Sequence, residues 1–89
     1  MLIPFPTFES NLTALIDSAH ELHAGNTDGA MANLLALHTR LLRFQRSGRH
    51  RRLAEFVDNA LQACERGERD YALAELMNAF THFIPEQAA

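Results

Sequence analysis

Lysine and tryptophan are absent from this 89-residue chain, and cysteine, proline and glycine are scarce. The single cysteine, Cys64, has no partner for an internal disulfide, which agrees with a reducing compartment. Three prolines and four glycines are too few for a collagen-like or disordered chain. No apolar run approaches the roughly 18 residues that cross a bilayer, and the N-terminus lacks the basic flank of a signal peptide. We therefore expect a cytoplasmic protein without a membrane partner.

β-Branched aliphatic residues are also scarce, with one Val and three Ile against 14 Ala and 13 Leu. This composition favours helix over strand. A chain of this length forms a single small domain, residues 1–89, and buries only about 60 to 65 per cent of its unfolded surface. The sequence therefore predicts an all-α fold in which self-association would add buried apolar surface.

Caps, glycines and apolar periodicity divide the chain into four helical segments. The predicted helices run from Thr7 or Ser10 to Ala24, from Thr27 or Asp28 to Arg46, from Arg49 to Arg66, and from Glu68 or Arg69 to Phe83. Short connections between successive helices favour antiparallel neighbours. The prediction is a small four-helix bundle built of two stacked αα-hairpins.

The two ends of the chain are expected to lie outside this bundle. Residues 1–7 form an apolar arm that Pro4 and Pro6 hold extended. The arm either covers one end of the bundle or inserts Phe5 as an anchor into another chain. Pro85 is expected to end the last helix, so that residues 85–89 form a frayed tail after helices in 8–84.

The second predicted helix has more apolar surface than one neighbour can bury. Its apolar side chains cover an arc of about 180° at about 100° per residue. They are Ala30, Met31, Leu34, Leu35, Leu37, Leu41, Leu42 and Phe44. The helix is therefore central in the bundle or part of an interface, and we expect a homodimer through the second or fourth helix. A competing arrangement keeps the second and third helices continuous through Gly48.

A weak internal repeat relates the two hairpins. Residues 16–19 match 57–60 at an offset of 41, and residues 25–34 match 67–76 at an offset of 42. The turn pattern of a glycine, a polar run and then alternating alanines resembles the junctions of tetratricopeptide-type hairpins. That family repeats every 34 residues with an aromatic and Leu-Gly signature that is absent here, so the resemblance implies no function.

The basic side chains are concentrated in one place. Six of the eight arginines lie within residues 40–52, whereas all eleven acidic residues lie outside this range. The arginines after Gly48 face the positive end of the third helix dipole, so an anion is favoured there. The candidates are an acidic protein surface, on a partner or a second subunit, and nucleic-acid phosphate, although a pI near 5.9 argues against the latter. A third interpretation is a plain solvated corner that binds no ligand. We associate exclusive arginine usage with a bacterial or phage accessory protein.

Histidines provide a second alternative, a metal-binding helical bundle. His20 and His23 are three residues apart on the first predicted helix. Residues 82–86, His-Phe-Ile-Pro-Glu, resemble the His-x-x-x-Glu element of hemerythrin-like bundles, which implies a metal site. Such a site needs further inward-facing ligands, and Pro85 is expected to break the turn that would align His82 with Glu86.

The remaining candidate ligands do not converge. By periodicity His82 lies on the polar side of its helix, while His23, His38 and Cys64 lie on apolar faces. His38 is about 15 Å along the hairpin from the glycine turn, near which the other two lie. We therefore predict no metal and no cofactor.

No arrangement for catalysis is recognisable in the sequence. It has no Gly-x-Ser-x-Gly elbow, no phosphate-binding glycine loop and no paired carboxylates in a predicted cleft. We expect a non-enzymatic module that binds a protein partner stoichiometrically, as a regulator, inhibitor or adaptor, through a helical face with an arginine rim. The predicted partner-binding residues are Arg40, Arg43, Arg46, Arg49, Arg51, Arg52, Leu37, Leu41, Phe44 and Phe5.

Overall fold

The computed structural model describes residues 8–43 and 48–88, and these residues form four helices and no strand. The helices are α1 (Phe8–His23), α2 (Thr27–Arg43), α3 (Gly48–Glu65) and α4 (Arg69–Ala88). The predicted all-α bundle is thus confirmed. Within the described ranges, no helix combines the length and apolar character needed to span a membrane.

Each hairpin turns at a glycine whose backbone lies in the left-handed region. Gly25 has φ 87° and Gly67 has φ 74°. In the first turn the amide of Asn26 donates to the carbonyl oxygen of Glu21 (2.8 Å), and the amide of Gly25 donates to that of Leu22 (3.1 Å). This pair of bonds is a Schellman motif, which needs a residue with positive φ after the helix.

The second turn repeats the first, 42 residues later. The amide of Glu68 donates to the carbonyl oxygen of Ala63 (2.9 Å), and the amide of Gly67 donates to that of Cys64 (3.0 Å). The predicted glycine turns are therefore the same structural motif at both places.

Asn26 both closes the first turn and begins α2. Its side-chain oxygen accepts a hydrogen bond from the backbone amide of Gly29 (3.1 Å), which is the interaction of an N-cap residue. Its side-chain amide donates to the carboxylate of Glu21. The predicted caps Thr27 and Asp28 are wrong because both already belong to the helix.

The helices pack in the order of the chain. α2 packs on α1 and α3, α4 packs on α3, and α1 and α4 close the arrangement over a smaller contact. The body measures 33 × 32 × 18 Å, so its thin dimension is about that of two packed helices. Because α2 and α3 pack against each other, the chain must reverse between them. A single continuous helix through Gly48 is therefore wrong.

The core comes from all four helices and follows one register in both hairpins. Among the residues whose burial the structure describes, seven positions buried in the first hairpin are also buried 42 residues later. The pairs are Asn11 and Leu53, Leu15 and Val57, Ser18 and Ala60, Leu22 and Cys64, Ala30 and Ala72, Leu34 and Leu76, and Leu37 and Ala79. The offset of 41 proposed for residues 16–19 is wrong, because Ile16 is exposed whereas Val57 is buried.

The buried face of α1 includes two polar side chains. Asn11 and Ser18 occupy core positions, whereas Ile16 points outward. The hydroxyl of Ser18 donates to the carbonyl oxygen of Ala14 (2.7 Å), which satisfies it within the helix. The side-chain oxygen of Asn11 is buried and has no hydrogen-bond partner among the described residues.

α4 does not end at Pro85. Its backbone remains helical to Ala88, so the predicted frayed tail from residue 85 is wrong for residues 85–88. A proline removes one backbone donor and strains one turn, at about 3 kcal/mol in a helix interior. The following Glu86, Gln87 and Ala88 are good helix formers, and the helix continues through the proline.

Candidate functional site

The leucines of α2 divide into a buried and an exposed set. Leu37 and Leu41 are both 0% exposed, so their predicted role in binding a partner is wrong because they fill the core of their own chain. Leu35 is 58% exposed and Leu42 is 49% exposed. They lie seven residues apart on one face of α2, with the half-buried His38 between them. We call Leu35, His38 and Leu42 the α2 stripe.

Three arginines lie at the end of the molecule where α2 stops and α3 starts. Arg43, Arg51 and Arg52 are exposed, and we call them the arginine end. Four residues connect α2 to α3, so the two helix termini lie within about 18 Å of each other. The guanidinium Nε of Arg52 lies 3.6 Å from a carboxylate oxygen of Glu55, in an exposed pair that contributes at most about 1 kcal/mol.

The arginine end is electrostatically unusual at the start of α3. The first turn of this helix carries no acidic residue, and Arg51 and Arg52 lie close to its positive dipole end. An anion bound there would interact with both the helix terminus and the guanidinium groups. At the end of α2, in contrast, Arg40 and Arg43 favourably oppose the negative end of the dipole.

Several predicted partner-binding residues cannot be placed on this surface. Arg46, Phe44 and Phe5 lie outside the described residues. Arg49 lies within α3, but its side chain is outside the described part. Arg40 is half-buried and faces a cleft between α1 and α2, away from the α2 stripe.

That cleft, the α1–α2 cleft, has a volume of about 520 Å³. Its lining residues are Glu9, Ser10, Thr13, Ala14, Asp17, Asn33, Ala36 and Arg40. The Nε of Arg40 is buried and has no hydrogen-bond partner among the described residues. The lining is therefore mostly polar, with the carboxylates of Glu9 and Asp17 and the guanidinium group of Arg40, and only Ala14 and Ala36 are apolar.

The corresponding seam of the second hairpin carries two ring side chains. Phe56 and His82 stand at the positions of Ala14 and Arg40, and their rings pack with centroids 5.8 Å apart. Beside them Asn59 donates to a carboxylate oxygen of Glu75 (3.2 Å). The predicted position of His82 on the polar side of α4 is wrong because its ring packs on α3.

A second cleft of about 460 Å³ lies between α1 and α4. It is lined by Ala19, His20, His23, Ala24 and Leu73. His23 is exposed at the end of α1, so its predicted position on an apolar face is wrong. Among residues 8–43 and 48–88, no three His, Cys, Asp or Glu side chains are grouped closely enough to hold a metal ion.

Protein-family models, curated proteins and solved structures provide no match to this chain.

Cys64 is a core side chain and not an exposed thiol. It is 5% exposed, and burial raises the pKa of its thiol above the ordinary value. The uncharged form therefore prevails at neutral pH, and little thiolate is present to act as a nucleophile. In the first hairpin the same position is occupied by Leu22, which indicates that Cys64 packs as a small hydrophobic residue.

The sequence contained a signal that separates the two sets of leucines. Ala30, Leu34, Leu37 and Leu41 follow the i, i+4, i+7, i+11 spacing of one helix face. All four are buried, and the remaining leucines of α2 lie outside that face. The width of the apolar arc obscured this spacing, because a broad arc does not show which part of it a neighbour covers.

Proposed function

We propose that this protein is a non-enzymatic binding module whose α2 stripe and arginine end dock onto an acidic surface of a protein partner. The observation that carries the proposal is the exposure of two leucines on one helix face, Leu35 at 58% and Leu42 at 49%. Arg43 follows Leu42 at the end of α2, so positive charge lies at the end of the helix where the stripe finishes. An apolar centre with a charged rim is the usual anatomy of a protein interface.

The exposed leucines, and not the buried ones, form the apolar centre of this surface, and the arginines form its rim. Arginine forks bind carboxylates in a bidentate manner, and they lose less free energy than lysine when partly desolvated. The module binds one partner stoichiometrically, and by covering the partner's surface it inhibits, recruits or masks that partner.

The test compares partner capture by matched variants. Leu35→Glu with Leu42→Glu places two carboxylates on the α2 stripe, where an acidic partner would be repelled. Tyr71→Glu with Met77→Glu makes the same change at α4 side chains that are 52% and 62% exposed. Tagged wild-type protein and both variants are incubated with extract of the source cell, and captured proteins are compared quantitatively by mass spectrometry.

We expect one acidic protein to be captured by the wild type and by the α4 variant, and to be lost with the α2 variant. Its capture should also fall as ionic strength rises, because the arginine end is exposed to solvent. Equal capture by all three forms, or no capture by any, contradicts the proposal. Circular dichroism of each variant checks that the helices are retained.

Two other partners are separated by the same variants. Light scattering of the purified protein detects a homodimer, which the α2 variant would dissociate if the stripe binds a second copy. Nucleic acid is tested by fluorescence anisotropy with labelled DNA and RNA. An affinity that falls steeply between about 50 and 200 mM salt and is lost in Arg43→Ala with Arg51→Ala would favour the nucleic-acid alternative over the protein partner.

A further inference from the structure

The α1–α2 cleft brings charges of both signs together within the first hairpin. The carboxylates of Glu9 and Asp17 come from α1, and the guanidinium group of Arg40 comes from α2. No ion pair of the described residues involves any of these three side chains. The buried Nε of Arg40 also has no hydrogen-bond acceptor in the described part of the chain. The lining therefore offers one cation and two anions to a ligand.

These charges lie at two levels along the hairpin. Asp17 is eight residues after Glu9, or about 12 Å further along the axis of α1. The two helices of the hairpin run antiparallel from the turn at Gly25, and Arg40 and Ser10 are equally far from that turn in the sequence. One end of the cleft therefore carries Arg40 and Glu9, and the end nearer the turn carries Asp17.

The balance of charges in the lining decides which class of molecule fits it. An anion such as phosphate would meet two carboxylates, and a diamine would leave the Nε of Arg40 without an acceptor. An apolar group would remove charged side chains from water without compensation. A molecule with one carboxylate and two ammonium groups matches all three charges.

We infer that the α1–α2 cleft binds a free amino acid with two ammonium groups and one carboxylate, as in lysine. The carboxylate of the ligand accepts hydrogen bonds from the guanidinium group of Arg40. Its α-ammonium group donates to Glu9 at the same end of the cleft, and its terminal ammonium group donates to Asp17. The volume of about 520 Å³ lies within the ordinary range of small-molecule sites.

The length of lysine agrees with the spacing of the two carboxylates. Six bonds separate its two nitrogens, which gives about 7.5 Å in the extended chain. With a hydrogen bond of about 2.8 Å at each end, the ligand spans about 13 Å. This length is close to the rise of about 12 Å between Glu9 and Asp17. The apolar residues of the lining, Ala14 and Ala36, lie between the two ends and suit its methylene groups.

The set of charges is specific to the first hairpin. At the positions 42 residues later, the second hairpin carries Arg51, Asn59 and His82 in place of the two carboxylates and the arginine. The charged lining is therefore not a requirement of the repeated fold. The inference does not rest on the proposed function, because Arg40 faces away from the α2 stripe.

The test is a titration of isotope-labelled protein with L-lysine at constant ionic strength, followed by the amide chemical shifts in NMR spectra. We expect saturable shifts at Thr13, Ala14 and Ala36, and the same spectra show whether the fold is retained. Norleucine lacks the terminal ammonium group, ε-aminocaproate lacks the α-ammonium group, and cadaverine lacks the carboxylate. Each should bind about tenfold more weakly than lysine or less, because each loses a charge-assisted hydrogen bond.

Matched variants assign each contact. Arg40→Met keeps the aliphatic stem and removes the cation, whereas Glu9→Gln and Asp17→Asn replace a carboxylate by an amide. The control Glu65→Gln makes the same change at an exposed position of α3. Each cleft variant should weaken lysine binding by about tenfold or more, and the control should leave it unchanged. Arg40→Met should also abolish the preference for lysine over cadaverine, and Asp17→Asn the preference for lysine over norleucine.

Several results would overturn the inference. Shifts that stay linear with lysine concentration, or that lie outside the cleft, show that lysine has no site there. Equal binding of cadaverine would assign the cleft to polyamines. Equal binding of an Nα-acetyl-lysine amide would assign it to a lysine side chain of another protein. Full affinity in Arg40→Met would show that the guanidinium group does not hold the carboxylate.

Discussion

At the scale of single residues, the buried polar side chains of α1 are the clearest departure from the apolar pattern. Asn11 is 1% exposed with an unpartnered side-chain oxygen, whereas Ser18 is fully buried but hydrogen-bonded. Their counterparts in the second hairpin are Leu53 and Ala60. Sequence reasoning missed both, because polar residues give no periodic signal, and only burial by neighbouring helices shows that they face inward.

The two positions permit a matched comparison. Asn11→Leu removes an unsatisfied buried oxygen, and we expect the free energy of unfolding to rise by about 1–3 kcal/mol. Ser18→Ala removes a hydroxyl that is already satisfied, and we expect a change within about 1 kcal/mol. Urea denaturation followed by circular dichroism measures both values. A loss of stability in Asn11→Leu would show that the amide makes an interaction that the described residues do not account for.

At the scale of helices and turns, the glycines at the ends of α1 and α3 made the two hairpins predictable. Each adopts a positive φ that ends a helix, and glycine is the residue that adopts it most easily. The two hairpin turns and the order of the helices are as predicted, with helix ends displaced by a few residues. The exceptions have local causes. Asn26 caps α2 one residue before the predicted position, and α4 continues through Pro85 since good helix formers follow it.

The turn glycines are expected to be required for their backbone conformation alone. A Cβ at Gly25 or Gly67 would meet no atom within 4 Å, so a side chain has space. The positive φ remains costly, and we expect Gly25→Ala and Gly67→Ala each to lower the free energy of unfolding by about 1–2 kcal/mol. Asn tolerates this region better, so Gly25→Asn should lose less in the same urea titration. Equal stability of the Ala and Asn variants would contradict this explanation.

At the scale of the whole molecule, the hairpins share one core, so neither buries its apolar face alone. Leu34 and Leu37 of the first hairpin and Val57 and Leu76 of the second belong to the same cluster of buried side chains. The sequence predicted this stacking, because a single helical hairpin has no cover for its inner side. It did not predict which leucines of α2 remain outside, since that depends on where α3 packs.

We therefore expect neither hairpin to fold in isolation. Peptides of residues 1–46 and 47–89 should each show low helix content by far-ultraviolet circular dichroism and should melt without a cooperative transition. The intact chain is the control and should melt cooperatively. A cooperative transition in either peptide alone would show that one hairpin has an independent core.

The shared 42-residue register has a topological consequence. Because α1 and α2 form one hairpin, α3 and α4 form the other, and α2 packs on α3, we expect the start of α1 and the end of α4 at the end of the bundle where α2 stops and α3 starts. A permuted chain, opened between Arg43 and Gly48 and joined from Ala88 to Phe8 by a short linker, would traverse the four helices in the order α3, α4, α1, α2. Both glycine turns would stay intact in the permuted chain. We therefore expect it to form the same bundle, whichever hairpin comes first in the polypeptide.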